Sequence, residues 1–116
     1  MNIAELAKRQ AAADAEHGFP TCVADPRERY EQLRKDLVGL MGEIGEFANL
    51  VKKISLKIDY PSTYNLMPGN AEELLAEEIA DASIYLLRIS TILQIDLEKA
   101  ILEKIEHNNS RYAKQR

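Results

Sequence analysis

Residues 30–58, YEQLRKDLVGLMGEIGEFANLVKKISLKI, decide the fold of this chain. Their apolar side chains recur at steps of three and four, which places them along one side of an α-helix. The members of this stripe are Tyr30, Leu33, Leu37, Met41, Ile44, Ala48, Val51, Ile54 and Ile58. The pattern predicts a long second helix over about 27–58, and Asp25-Pro26 supplies an N-cap and a first helical residue for it.

Helix signals also stand on both sides of this segment. Asn2 is a suitable N-cap for a first helix that ends near Glu16, before a turn at His17-Gly18-Phe19-Pro20. After a loop containing Pro68-Gly69, Asn70 is a candidate cap for a third helix over about 71–93. Asp96 is a candidate cap for a fourth helix that reaches about Tyr112.

No segment alternates apolar and polar residues as a half-buried strand does. We therefore expect one all-α domain over 1–116, with an N-terminal helix over 1–16 and a core over 27–112. The expected fold is a four-helix bundle in which the second and third helices are antiparallel. A second helix of about 32 residues spans roughly 48 Å, longer than a monomer of this size covers, so a homodimer or a dimer of dimers is expected.

Composition excludes several classes of protein. A net charge of -4, from 15 basic and 19 acidic residues, argues against nucleic-acid binding, which uses a basic surface. A single cysteine, Cys22, excludes an internal disulfide. Residues 1–16 lack the apolar run of a signal peptide, and no later segment approaches the ~20 apolar residues of a membrane span. We expect no membrane partner and a cytoplasmic protein.

Two carboxylate pairs are the candidate site. Glu43 and Glu46 are three residues apart and project from one side of the second helix, as Glu78 and Asp81 do on the third. At about 100° per residue, Glu78 falls inside the apolar arc of the third helix and Asp81 at its edge. The solvated face is predicted to carry Glu72, Glu73, Glu77, Ser83, Arg88 and Thr91. A carboxylate among apolar neighbours normally protonates, pairs with a cation or binds a metal.

Gly39, Gly42 and Gly45 recur every three residues beside the first pair. Each glycine inside a helix costs about 1 kcal/mol relative to alanine, so something approaches this backbone closely. A neighbouring helix and a ligand both fit that requirement.

Four carboxylates on two facing helices form an all-oxygen site that suits Mg²⁺, with Mn²⁺ as the alternative, and does not suit zinc. A di-iron bundle requires Glu-x-x-His motifs. Neither His17 nor His107 lies three residues after a glutamate, so the di-iron class is disfavoured.

These residues resemble a known family. EIGE at 43–46 within LMGEIGEF, EIAD at 78–81 followed by SIYL, and KIEHNNSRY at 104–112 resemble the ExxE, ExxD and K-x-x-x-N-x-x-R-Y motifs of the MazG-like nucleotide pyrophosphohydrolases. The resemblance covers about Leu40 to Tyr112 without the loop. Two departures are Gly42, where many members have a further glutamate, and a long linker between the two carboxylate pairs.

The resemblance implies hydrolysis of a nucleoside triphosphate to the monophosphate and pyrophosphate, with Mg²⁺ held by Glu43, Glu46, Glu78 and Asp81, in a homo-oligomer. The triphosphate needs cationic partners, and Lys53 lies two turns beyond Glu46 on the same side. On the last helix Lys104, Asn108 and Arg111 are the other candidate contacts. A solvated surface charge is the alternative for Lys53 and Arg111. For the whole chain the alternatives are a non-catalytic helical dimerisation or regulatory module and a nucleotide or metal sensor.

Overall fold

The computed structural model describes residues 1–62 and 70–114, and these residues form four α-helices and no strand. Helix α1 comprises Ile3–Glu16, α2 Pro26–Asp59, α3 Ala71–Ile92 and α4 Leu97–Lys114. The predicted all-α architecture of four helices is confirmed, with helix ends close to those expected. The loop predicted around Pro68-Gly69 lies outside the described residues.

The predicted caps explain where three of the helices begin. In each case a side-chain oxygen accepts a hydrogen bond from the backbone N–H three residues later: Asn2 from Glu5 at 2.9 Å, Asp25 from Glu28 at 3.1 Å, and Asp96 from Lys99 at 3.1 Å. Helix α1 ends at Glu16 because Gly18 adopts a positive φ of 77°, which glycine tolerates without strain.

The chain divides into two compact units. The terminal unit consists of Met1–Leu33 and Leu87–Arg116, and the hairpin unit consists of Arg34–Leu86. The hairpin unit therefore contains most of α2 and α3, together with both predicted carboxylate pairs. Among the described residues, no helix is both long and apolar enough to cross a bilayer.

The terminal unit contains a buried ion pair. In this unit α1 packs against α4, and the Glu98 carboxylate on α4 accepts a hydrogen bond from the Ile3 N–H at 3.2 Å. The Arg88 guanidinium lies 2.7 Å from the Asp14 carboxylate, and each side chain is only 7% exposed. Gln10 also donates to Asp14 at 2.8 Å. This network holds the end of α1 against α3.

The prediction that Arg88 lies on the solvated face of α3 is wrong. Arg88 is buried, pairs with Asp14, and donates to the Pro20 carbonyl oxygen at 3.4 Å. The prediction used the angular position of Arg88 around α3, which describes only how Arg88 lies relative to other residues of that helix. Its partners lie more than sixty residues earlier in the chain, and no helical periodicity relates positions so far apart.

In the hairpin unit α2 and α3 meet closely at one glycine. The ring of Tyr85 occupies the space in which a Cβ on Gly39 would lie. Further along α2, Glu43 meets Glu78, which precedes Tyr85 on α3. The later residue on α2, Glu43, therefore contacts the earlier residue on α3, Glu78. This order shows that the two helices are antiparallel, as predicted. A Cβ on Gly42 or Gly45 would meet no atom of the described residues within 4 Å, so helix packing explains only the first glycine.

The difference in available space at Gly39 and Gly42 predicts opposite effects of alanine substitutions at these two positions. Gly42→Ala should stabilise the protein by about 0.5–1 kcal/mol, because alanine favours the helix and the added methyl group enters open space. Gly39→Ala should destabilise it by about 1–3 kcal/mol, because the Tyr85 ring must move away. Urea unfolding in the absence of divalent metal measures both changes. Equal effects of the two substitutions would contradict the packing described at Gly39.

The apolar stripe of α2 lies largely at the surface. Six of its members are between 43% and 72% exposed: Tyr30, Leu37, Met41, Ile44, Val51 and Ile58. In the described residues only Leu40, in the hairpin unit, and Ile92, in the terminal unit, are fully buried apolar residues. Each unit therefore has a very small core of its own.

Candidate functional site

Three of the four predicted carboxylates converge between α2 and α3. Glu43 and Glu46 from α2 and Glu78 from α3 each place one carboxylate oxygen so that the three oxygens lie within 4.8 Å of one another. Glu43 and Glu78 are half-buried, and Glu46 is exposed. The i, i+3 spacing on α2 supplies two of these oxygens, and the antiparallel approach of α3 supplies the third. Both helix faces are therefore the ones predicted from the sequence.

The electrostatics of this cluster are unfavourable without a cation. The pKa of Glu78 is raised to about 7, first by burial, and then by hydrogen bonds between its protonated form and the carboxyl groups of Glu43 and Glu46 and by repulsion from their like charge. One oxygen of Glu43 and one of Glu78 are buried and receive no hydrogen bond from the described residues. A divalent cation would compensate both the repulsion and the lost hydration.

Asp81 is not part of this converged group. It lies one turn after Glu78 on α3 and is exposed, and the three oxygens that converge belong to the glutamates. The side chain of Asp81 is one methylene shorter than that of glutamate. Asp81 also lies at the edge of the apolar arc of α3, the arc that faces α2. Its role as a metal ligand stays a prediction.

The predicted phosphate contacts are divided between the two units. Lys53 is exposed on α2 in the hairpin unit, seven residues after Glu46 and therefore on the same side of the helix. The other three belong to α4 in the terminal unit, where Lys104 and Arg111 are exposed and Asn108 is half-buried.

Arg111 already has a neighbour within the chain. Its Nη2 donates to the Tyr112 hydroxyl at 3.1 Å, and its guanidinium carbon lies 5.0 Å from the centre of the same ring. This contact is exposed and leaves other N–H groups of the guanidinium for a ligand. The phosphate contacts of Lys53, Lys104, Asn108 and Arg111 stay predictions.

Sequence reasoning missed Asp36. This aspartate is 5% exposed and lies seven residues before Glu43, which is two turns along the same side of α2. The seven-residue spacing was visible in the sequence and would have placed Asp36 on the face that carries the cluster.

The raised pKa of Glu78 predicts how the stability of the metal-free protein depends on pH. The pKa rises from 4.5 to about 7, so the folded state binds this proton more tightly than the unfolded state does. The resulting contribution to stability is complete below the unfolded pKa and is lost as pH rises through about 7. Melting in chelator between about pH 5 and about pH 8 should show this decrease, and Glu78→Gln should lack it. Identical pH profiles for the two proteins would contradict the clustering.

Known proteins similar to this chain point to one family. No family model matches the chain. The protein named dCTP pyrophosphatase 1 from Mus musculus is 33% identical over 85 residues, which cover 73% of this chain and 48% of that protein. Its counterpart in Homo sapiens is 35% identical over 86 residues, with the same coverage. The chain thus spans about half the length of the curated relatives it matches.

This similarity agrees with the helices and the glutamate cluster. The chain is similar to proteins of the MazG-like family of all-α nucleoside triphosphate pyrophosphohydrolases, the family that its motifs indicated. Its relatives in mouse and human carry the name dCTP pyrophosphatase 1.

Proposed function

We propose that this chain hydrolyses a nucleoside triphosphate to the nucleoside monophosphate and pyrophosphate, in a reaction that depends on Mg²⁺. Water attacks the α-phosphorus, the bond from this phosphorus to the α–β bridging oxygen breaks, and pyrophosphate leaves with the bridging oxygen. Such a reaction removes unwanted nucleotides from the cellular pool. The names of the mammalian relatives make dCTP the first substrate to test.

The convergence of Glu43, Glu46 and Glu78 is the observation that supports this proposal most strongly. Their oxygens form a hard donor set, which Mg²⁺ or Mn²⁺ prefers, and Asp81 is the proposed fourth ligand. The bound ion would neutralise phosphate charge and lower the pKa of water. The glutamates would then hold the ion in place, and the exposed side of the cluster at Glu46 leaves access for the triphosphate.

Cationic side chains complete the proposal. Lys53 lies on the same side of α2 as Glu46 and would contact a phosphate that extends from the cluster along the helix. Lys104, Asn108 and Arg111 are the proposed contacts from α4. A net charge of -4 disfavours nucleic acid as a competing ligand.

We also propose that the protein is a homodimer or a dimer of dimers and that it acts in the cytoplasm. The support for self-association is the length of α2, which spans about 51 Å, and the exposure of its apolar stripe. The cytoplasmic location rests on the composition of the chain alone.

A screen for pyrophosphate release tests the proposed chemistry. Purified protein should convert one or more nucleoside triphosphates to monophosphate and pyrophosphate with Mg²⁺, and chelator should remove the activity. The screen should include dCTP and the other common and modified nucleoside triphosphates. Release of orthophosphate would show that a different bond is cleaved. The regulatory-module alternative predicts neither release of pyrophosphate nor binding of Mg²⁺.

A further inference from the structure

The contact between Gly39 and Tyr85 lies next to the glutamate cluster, and all of these residues belong to the hairpin unit. Along α2, Glu43 follows Gly39 by four residues, about 6 Å. Along α3, Glu78 precedes Tyr85 by seven residues, about 10.5 Å. The half-buried ring of Tyr85 lies directly against the α2 backbone, in the space that a Cβ on Gly39 would need. This contact therefore determines how closely α2 and α3 approach each other beside the cluster.

The separation of the two helices controls the distance between two of the three glutamates. Glu43 and Glu78 lie on opposite helices and are half-buried. Because their surroundings are packed, these side chains have few alternative rotamers, and their positions follow those of the two backbones. Glu46 is exposed and can rotate to follow an ion. A wider separation of α2 and α3 should thus open the cluster mainly between Glu43 and Glu78.

Divalent cations differ in how far apart they hold their ligands. Mg²⁺ requires a nearly ideal octahedron with oxygens at about 2.0–2.1 Å, so that two of its ligand oxygens lie at most about 4.2 Å apart. Ca²⁺ accepts oxygens at about 2.3–2.6 Å in flexible geometries, which allows separations up to about 5.2 Å. The three glutamate oxygens lie within 4.8 Å of one another. A cluster of this width suits Mg²⁺ only while the two helices stay close, whereas Ca²⁺ accepts a wider opening.

We propose that Gly39 and Tyr85 are positioning residues that give the glutamate cluster its preference for Mg²⁺ over the larger Ca²⁺. A methyl group at position 39 must displace the Tyr85 ring by roughly 1 Å to restore ordinary van der Waals contact. This displacement moves α3 away from α2 and widens the opening between Glu43 and Glu78. The inference rests on the metal site of the proposed function and adds which residues select the ion.

Metal-dependent melting without nucleotide tests the proposal on wild type, Gly39→Ala and Gly42→Ala. Mg²⁺ and Ca²⁺ are titrated separately, and each melting temperature is compared with that of the same variant in chelator, so that the effect of the substitution on the metal-free fold is subtracted. Gly39→Ala should bind Mg²⁺ at least about tenfold more weakly, which is the usual effect of a change just outside the ligands, and should bind Ca²⁺ with nearly unchanged affinity. Gly42→Ala is the matched control on the same helix, because its methyl group meets no atom of the described residues. It should keep the wild-type preference.

A compensating substitution distinguishes positioning from a general loss of stability. Tyr85→Leu in the Gly39→Ala background removes the ring that the new methyl group displaces, so this double variant should recover most of the lost affinity for Mg²⁺. If Gly39→Ala does not fold, Tyr85→Leu alone is compared with wild type. It lets the two helices close and should increase the preference for Mg²⁺ over Ca²⁺.

Several outcomes would overturn the proposal. These are equal losses of affinity for both ions in Gly39→Ala, no loss for either ion, an equally altered preference in Gly42→Ala, a double variant that binds Mg²⁺ as weakly as Gly39→Ala, or an unchanged preference in Tyr85→Leu. If wild type is stabilised by Mg²⁺ and releases pyrophosphate while Gly39→Ala keeps its ion preference, only this inference fails. A wild-type protein that neither ion stabilises would overturn the proposed metal site and this inference with it.

Discussion

Glu78→Gln should nearly abolish turnover while leaving the metal-free protein at least as stable as wild type. Glutamine preserves the shape of the side chain but removes the ionisable group of one of three glutamates whose carboxylate oxygens lie within 4.8 Å of one another. The loss of repulsion favours the metal-free fold, whereas the loss of a ligand weakens binding of Mg²⁺. At ten times the dissociation constant, Mg²⁺ should stabilise wild type by about 1.4 kcal/mol, and the variant should lose most of this increment. Thermal melting with and without Mg²⁺, together with pyrophosphate release, measures all three quantities.

Two variants on the same helix make this test specific. Glu73→Gln removes the same charge from an exposed position on α3 and should change neither the Mg²⁺-dependent melting nor turnover. Asp81→Asn examines the fourth predicted ligand, and a loss as large as that of Glu78→Gln would include Asp81 in the site. If Glu78→Gln and Glu73→Gln behave alike in both measurements, the glutamates form no metal site and the regulatory-module interpretation is favoured.

Local signals in the sequence were sufficient to predict the helices and the faces of the cluster. Asn2, Asp25 and Asp96 cap their helices because the capping hydrogen bond spans only three residues. Glu78 was singled out by its angle within an apolar arc, and the structure places it against Glu43 and Glu46. The i, i+3 spacing places the carboxylates of each pair on one side of their helix, but it did not predict that Asp81 stays outside the group formed by the three glutamates.

Periodicity could not show which apolar surface a helix buries within its own chain. The stripe of α2 was the clearest pattern in the sequence, yet Met41 and Val51 are exposed while Gly39 and Leu40 face inward. A stripe that packs against a second copy and a stripe that packs within the monomer have the same spacing. Arg88 is a related case, since its burial depends on Asp14, which lies far away in the sequence.

Removal of either charge from the Asp14–Arg88 pair should strongly destabilise the protein. Both side chains are 7% exposed, and the pair is supported by the hydrogen bond from Gln10. Arg88→Met leaves the Asp14 carboxylate buried without its cation, which should cost about 3–5 kcal/mol. Urea unfolding at a fixed protein concentration is the appropriate measurement, because stability that depends on self-association varies with concentration.

The double variant Asp14→Leu/Arg88→Met separates the cost of an unpaired charge from the net contribution of the pair. Burial of two charges is itself costly, so a well-packed apolar pair should recover most of the loss caused by Arg88→Met. The exposed pair Lys99–Glu103, at 3.9 Å, is the control, and Glu103→Gln should change stability by less than about 1 kcal/mol. A double variant as unstable as Arg88→Met would show that the hydrogen bonds of Arg88, including the one to the Pro20 carbonyl, hold the end of α1 in place. If Arg88→Met alone costs no more than Glu103→Gln, the pair is solvated in solution and does not anchor α1.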